Sequence, residues 1–107
     1  MITAKIKEKN GGIFSYEISG HAESGEYGHD VVCAAVSVLG ITTANNLYKL
    51  AKIKPKAEMN AGYLKVEIPI SLSKVQAEKV QFILAFFKNA MEDVAAEYNQ
   101  YIELIQE

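Results

Sequence analysis

Apolar and polar residues alternate along Ile2-Thr3-Ala4-Lys5-Ile6-Lys7-Glu8-Lys9 and again along Ile13-Phe14-Ser15-Tyr16-Glu17-Ile18-Ser19, with Asn10-Gly11-Gly12 between the two runs. A period of two marks strands with one buried face, and an Asn-Gly step marks a tight turn, so the chain is predicted to open with a β-hairpin. Gly20 ends its second strand. A second hairpin is predicted where Lys56-Ala57-Glu58-Met59 and Tyr63-Leu64-Lys65-Val66-Glu67-Ile68 flank Asn60-Ala61-Gly62, with Pro69 closing it.

Between the hairpins the period lengthens. Asp30, a preferred N-cap residue, precedes an apolar run, and a helix is predicted from there to about Lys52, with Pro55 beyond its end. Val31, Ala34, Val38 and Ile41, together with Ala35, Leu39, Leu47 and Leu50, put apolar side chains on more than one side of it, whereas Asp30, Cys33 and Ser37 share one face at spacings of three and four. Gly40 in mid-helix costs about 1 kcal/mol relative to Ala, which predicts a close approach by a neighbouring element. After the second hairpin, Ser73-Lys74-Val75-Gln76 reads as a capping box. Val80, Ile83, Leu84, Phe87, Met91, Val94, Tyr98, Ile102 and Ile105 then trace one apolar stripe. A helix kept along that whole stripe, residues 74–107, would be about 50 Å long at 1.5 Å per residue. It is predicted either to bend near Asn89 or to extend into a partner.

The order β-β-α-β-β-α implies a two-layer α+β domain, with a mostly antiparallel four-stranded sheet and both helices on one face. The 107 residues suit one domain spanning 1–107, and a 50 % hydrophobic content supplies its core. The second apolar side of the first helix then lies uncovered, so a helix-mediated homodimer is expected, with Phe82, Phe86 and Phe87 in the core or at that interface. A net charge of -2, with no Lys/Arg cluster dominating a face, argues against direct binding to nucleic acid. One cysteine cannot form an internal disulfide. The chain also shows no charged segment leading into an apolar one, and no apolar run near the ~20 residues of a membrane span, so cytoplasmic residence without membrane contact is expected. Cys33, His21 and His29 lack the paired spacing of a zinc site, and neither a metal nor a cofactor is expected.

The candidate chemistry lies between Gly20 and Ser37. With Asp30 as cap, Cys33 is the third residue of a helix, where backbone N–H groups and the positive end of the helix dipole favour a nucleophilic thiolate. A nearby histidine could serve as general base, and Gly25 and Gly28 would let the connecting segment fold back to bring it close. The same residues admit a plainer reading, in which Cys33 packs as an inert thiol among Val and Ala and the histidines belong to a solvated loop.

The stretch Gly20-His21 … Gly28-His29-Asp30-Val31-Val32-Cys33-Ala34-Ala35-Val36-Ser37 resembles the Gly-His…Gly-x-Asp-[Ile/Val]-Val-Cys-Ala-Ala-Val-Ser signature of the ribosomal-processing cysteine protease family Prp. The order of elements fits the same family over nearly the whole chain. The resemblance implies a homodimeric endopeptidase that removes a short N-terminal extension from the large-subunit ribosomal protein numbered twenty-seven, cutting after an aromatic pair. By motif position it implies His21 and Cys33 as the catalytic pair, with Asp30 and Ser37 in support. His29 falls at the variable position of the motif. Asp30 either orients His21 or only caps the helix, and Ser37 supports the thiol by bonding back to the Cys33 carbonyl. Gly20, Glu23, Gly25, Glu26, Tyr27 and Gly28 are expected to form a substrate loop. In it Tyr27 is an apolar wall and Glu23 and Glu26 an acidic lip for a basic peptide. The alternative is a non-enzymatic ribosome-associated or peptide-binding dimer whose Cys33 merely packs.

Overall fold

The computed structural model describes residues 1–20 and 30–107. Along them run β1 (Ile2–Lys9), β2 (Gly12–Gly20), α1 (Asp30–Lys49), β3 (Lys56–Asn60), β4 (Tyr63–Glu67), α2 (Lys74–Glu97) and β5 (Ile102–Gln106). Ile2, Ala4 and Ile6 are buried on one side of β1, and Thr3, Lys5 and Lys7 on the other are half-exposed, as the alternation requires. Asn10 and Gly11 both take positive φ, 54° and 79°, which is the chemistry of a tight hairpin turn. The register then carries the buried face across the sheet. Ala4 lies opposite Ile18 and Ile6 opposite Tyr16; beyond them Leu64 lies opposite Ile18 and Val66 opposite Tyr16. Phe14 is the extra residue where the pairing of β1 steps from Ser15 to Ile13.

Both helices pack on this face, in one core that includes Val32, Val36 and Leu47 of α1 and Val80, Leu84, Phe87 and Met91 of α2. Gly40 explains how α1 comes so near: a Cβ there would lie 2.7 Å from Ile18 Cδ1 and 2.8 Å from Leu64 Cδ2. At the same point the buried Tyr16 hydroxyl donates to the Gly40 carbonyl at 2.7 Å. Burial pushes the pKa of Tyr16 up, and a backbone hydrogen bond from Ala44 opposes that rise. The Tyr16 ring meets Phe87 with centroids 4.2 Å apart, which ties both helices to β2.

Helix α2 is held differently. Ser73 Oγ accepts from the Gln76 N–H at 3.1 Å and Gln76 Oε1 from the Ser73 N–H at 3.0 Å, so the capping box forms as predicted. One turn later Gln81 clamps the backbone of Ile13, accepting from its N–H at 2.8 Å and donating to its carbonyl at 2.9 Å.

The expected helix to residue 107 is corrected. After Glu97 the chain turns, and β5 pairs parallel to β1 with Ile2 opposite Ile102 and Ala4 opposite Leu104. Among the described residues the sheet therefore has five strands, in the order β3-β4-β2-β1-β5, rather than the four expected. Ile102 and Ile105 carry a helical spacing by coincidence. Covering the open edge of β1 outweighs another helical turn, because β1 bonds on both sides, with Ile2 N–H to the Tyr101 carbonyl at 2.8 Å and Glu8 N–H to the Glu107 carbonyl at 2.7 Å.

The two exposed faces contrast. On the open face of the sheet Tyr63 donates to Glu17 at 2.5 Å; that hydrogen bond, foremost among the causes, pushes the Tyr63 pKa up to about 12. The outer face of the helices is apolar, with Val38, Leu50, Phe82 and Phe86 exposed around a groove of about 310 Å³. By length and composition the Val31–Lys49 segment could cross a membrane. Its close contact with the sheet at Gly40 gives the apolarity of one side a different cause.

Candidate active site

Gly20 ends β2 with φ at +91°, and a Cβ there would run into the Met1 carbonyl oxygen, so the position demands glycine. Its N–H donates at 2.9 Å to the carbonyl of Gly62, which itself has φ at +71° in the turn between β3 and β4. The end of β2 is thus fixed to both β1 and that turn.

Helix α1 begins at Asp30, which makes Cys33 its fourth residue rather than its third. The shift leaves Cys33 in the first helical turn, within reach of the dipole's positive end. Cys33 is half-buried and packs against the core. Ser37 follows one turn later, on the same face and exposed to solvent. It borders a slot of about 100 Å³ between α1 and the β3–β4 turn, formed with Ile18, Ile41, Met59, Asn60, Gly62, Tyr63 and Leu64.

Of the residues singled out in the sequence, Gly20 and Ser37 are brought to the same slot through Gly62, and Cys33 lies one turn up the helix. His21, Glu23, Gly25, Glu26, Tyr27, Gly28 and His29 lie outside the described residues, as does the side chain of Asp30. Among the described residues no three His, Cys, Asp or Glu side chains gather where they could hold a metal ion. The slot itself was not foreseen. Its walls come from β2, α1 and the second hairpin, and the one local signal was Gly40, whose predicted close neighbours prove to be two of the slot's residues, Ile18 and Leu64.

Comparison with known proteins gives this arrangement its class: the profile that matches residues 1–103 is that of a family of cysteine proteases. The chain belongs to the cysteine protease Prp family. It is 30 % identical over 107 residues to the ribosomal processing cysteine protease Prp of Bacillus subtilis (strain 168), covering 97 % of this chain and 96 % of that protein. The crystal structure of SMU.848 from Streptococcus mutans superposes with a TM-score of 0.87 at 33 % identity, over 99 % of this chain and 93 % of that one. An essential ribosomal processing protease Prp from S. aureus, in complex with a substrate peptide, superposes with a TM-score of 0.85 at 26 % identity, each chain fully covered. The same S. aureus protease is also known with a covalently linked product peptide. The chain is accordingly a cysteine protease, which sets aside the non-enzymatic alternative.

Proposed function

We propose that this protease trims the N-terminal extension of the large-subunit ribosomal protein numbered twenty-seven, in the cytoplasm, with Cys33 as nucleophile and His21 as base. The observation that carries the reading is the place of Cys33, half-buried in the first turn of α1 and one helical turn before Ser37, which lines an open slot. The covalently linked product peptide of the S. aureus relative supports a route through an acyl-enzyme. In that route His21 takes the thiol proton and Cys33 attacks the scissile carbonyl. Backbone N–H groups at the start of α1 or in the glycine-rich segment hold the oxyanion. The tetrahedral species collapses to a thioester as the amine leaves with the proton from His21, and water then releases the peptide acid. Asp30 and Ser37 support the pair, and Gly20, Glu23, Gly25, Glu26, Tyr27 and Gly28 serve as the substrate loop, with Glu23 and Glu26 attracting basic residues of the peptide.

Cys33→Ala is expected to abolish cleavage of a peptide spanning that extension while leaving the thermal transition in place, read by mass spectrometry and calorimetry. His21→Ala should cost about 10²-fold or more and His29→Ala little. Cleavage by the Cys33→Ala variant near the normal rate would sink the reading.

The apolar outer face of α1 and α2 favours a homodimer built on it, since Val38, Leu50, Phe82 and Phe86 stand exposed side by side. Light scattering at micromolar concentration should give twice the chain mass, and Phe82→Glu should return it to one. A monomer at that concentration refutes this assembly.

A further inference from the structure

We propose that the end of the helical layer farthest from Cys33, where α1 finishes and α2 begins, binds the phosphate backbone of single-stranded RNA. The surface is defined without reference to the chemistry at Cys33; only the choice of RNA among polyanions rests on the reading of a ribosomal substrate.

Charge is the first argument. A net charge of -2 conceals an uneven distribution. Lys49, Lys52, Lys54, Lys74 and Lys79 are five of the 11 basic residues, and all of them are exposed. Two contacts gather them: Gln76 Nε2 donates to the Lys52 carbonyl at 3.0 Å, and Leu50 shares a surface hollow with Lys79. Across residues 49–56 and 73–79 the one acidic residue is Glu78. Lys5, Lys65 and Lys88 are held in ion pairs at 3.7, 3.6 and 3.1 Å, whereas none of the five at this end forms one with another described residue.

The charge order of α2 is the second. A helix favours acids in its first turn and bases in its last, because its dipole is positive at the start and negative at the end. Helix α2 does the reverse. It opens on Lys74 with no acidic residue in its first turn, and it ends with Glu92, Asp93 and Glu97 and no basic residue in its last. Its cap is neutral as well, since Ser73 and Gln76 stand where Asp and Glu could make the same hydrogen bonds. The dipole thus adds to the field of the lysines instead of offsetting it. Helix stability gives no reason for that arrangement, and a bound polyanion does.

Placement is the third. Val31 and Ala34 at the start of α1 border Asp93 and Val94 near the end of α2, so the two helices run in opposite directions. Along α1 the rise from Cys33 to Lys49 is about 24 Å at 1.5 Å per residue. That exceeds the Debye length of about 8 Å at physiological ionic strength, so RNA at one end leaves a basic peptide at the other undisturbed. Tyr48, 60 % exposed in the last turn of α1, offers a ring on which an unpaired base can stack. The lysines bind phosphate as point charges and read no sequence.

The test is fluorescence anisotropy of a labelled single-stranded RNA of mixed sequence, about 20 nucleotides long. The normal protein should bind it with a slope of log K against log salt of about -3, or about 0.7 for each phosphate contacted. The triple variant Lys52→Gln, Lys54→Gln, Lys74→Gln should lose about tenfold or more in affinity and flatten the slope by about 2. The ion-paired set Lys5→Gln, Lys65→Gln, Lys88→Gln removes the same charge elsewhere and should stay within about twofold of normal at physiological salt. Lys74→Glu should weaken binding about fivefold and, by restoring the favoured order of charge along α2, raise the thermal transition by about 2–5 °C. Unchanged binding in the first triple variant, equal losses in the two, or no binding by the normal protein at low salt overturns the proposal. Stronger cosedimentation with phosphatidylserine vesicles than with RNA also overturns it, and would make this end a membrane contact. No readout requires turnover, so a Cys33→Ala protein that cleaves nothing should bind RNA as the normal protein does, and failure of the proteolytic reading leaves the surface standing.

Discussion

The two helices lie side by side on one sheet, yet they are fixed by opposite means. Helix α2 carries its instructions locally, with a reciprocal cap at Ser73 and Gln76, one buried stripe and a glutamine clamp on Ile13. Helix α1, which bears Cys33, is apolar on two sides and is located by what it lacks, since the missing side chain of Gly40 lets it settle on Ile18 and Leu64. The Tyr16 hydroxyl then fixes its position along the sheet through the Gly40 carbonyl. Helix α2 is thus a scaffold whose end can fray without consequence at the site, whereas any displacement of α1 moves Cys33, the proposed nucleophile, and one wall of the slot together.

Substitutions can break this contrast. The largest effect is expected from Gly40→Val, which drives a branched side chain into Ile18 and Leu64; overpacking of this kind costs about 2–3 kcal/mol. Thermal unfolding should show that loss, and peptide cleavage should fall even well below the transition because Cys33 and Ser37 ride on the displaced helix. Retained activity at normal stability would mean that the close approach does not position the site. Gln81→Ala comes next. It strips two hydrogen bonds from the part-buried backbone of Ile13, for about 1–2 kcal/mol in calorimetry, with kcat unchanged at temperatures where the protein is folded. Ser73→Ala should be smallest, costing about 1 kcal/mol and leaving both kinetic constants alone. If either α2 variant depressed kcat in the folded protein, the division between a scaffold helix and a working helix would fail.

What could be read from the sequence follows the range of the forces involved. The Asn10-Gly11 turn, the capping box of α2 and the close approach at Gly40 each depend on a few consecutive residues, and each is found where expected. The strand β5 depends on a partner at the other end of the chain. Its short run Ile102-Glu103-Leu104-Ile105-Gln106 offers a helical spacing as readily as an alternating one, and only the bare edge of β1 decides between them. At the site, the motif located Cys33 to within one helical position, because an N-cap and the first helical residue differ by one step of chain. The slot was beyond sequence reasoning for the same reason as β5: Ile18, Ile41 and Met59 belong to three separate elements and become neighbours only through the sheet register and the docking of α1.

The parallel ladder between β1 and β5 also sets the order in which the fold can be completed. Every other described element precedes β5 in the chain, so during vectorial synthesis β1 waits as an open edge beside already paired β2 until β5 arrives. Closing so long a loop adds little thermodynamic penalty, about 0.6 kcal/mol for each doubling of length, but it raises the mean sequence separation of contacts and slows the search. A nascent chain lacking Ile102–Gln106 would hold both helices and a four-stranded sheet while offering β1 to any extended segment nearby. Chaperone demand on this enzyme should therefore persist until Ile102–Gln106 has been made, and truncation before residue 102 should yield aggregation rather than a smaller active protease.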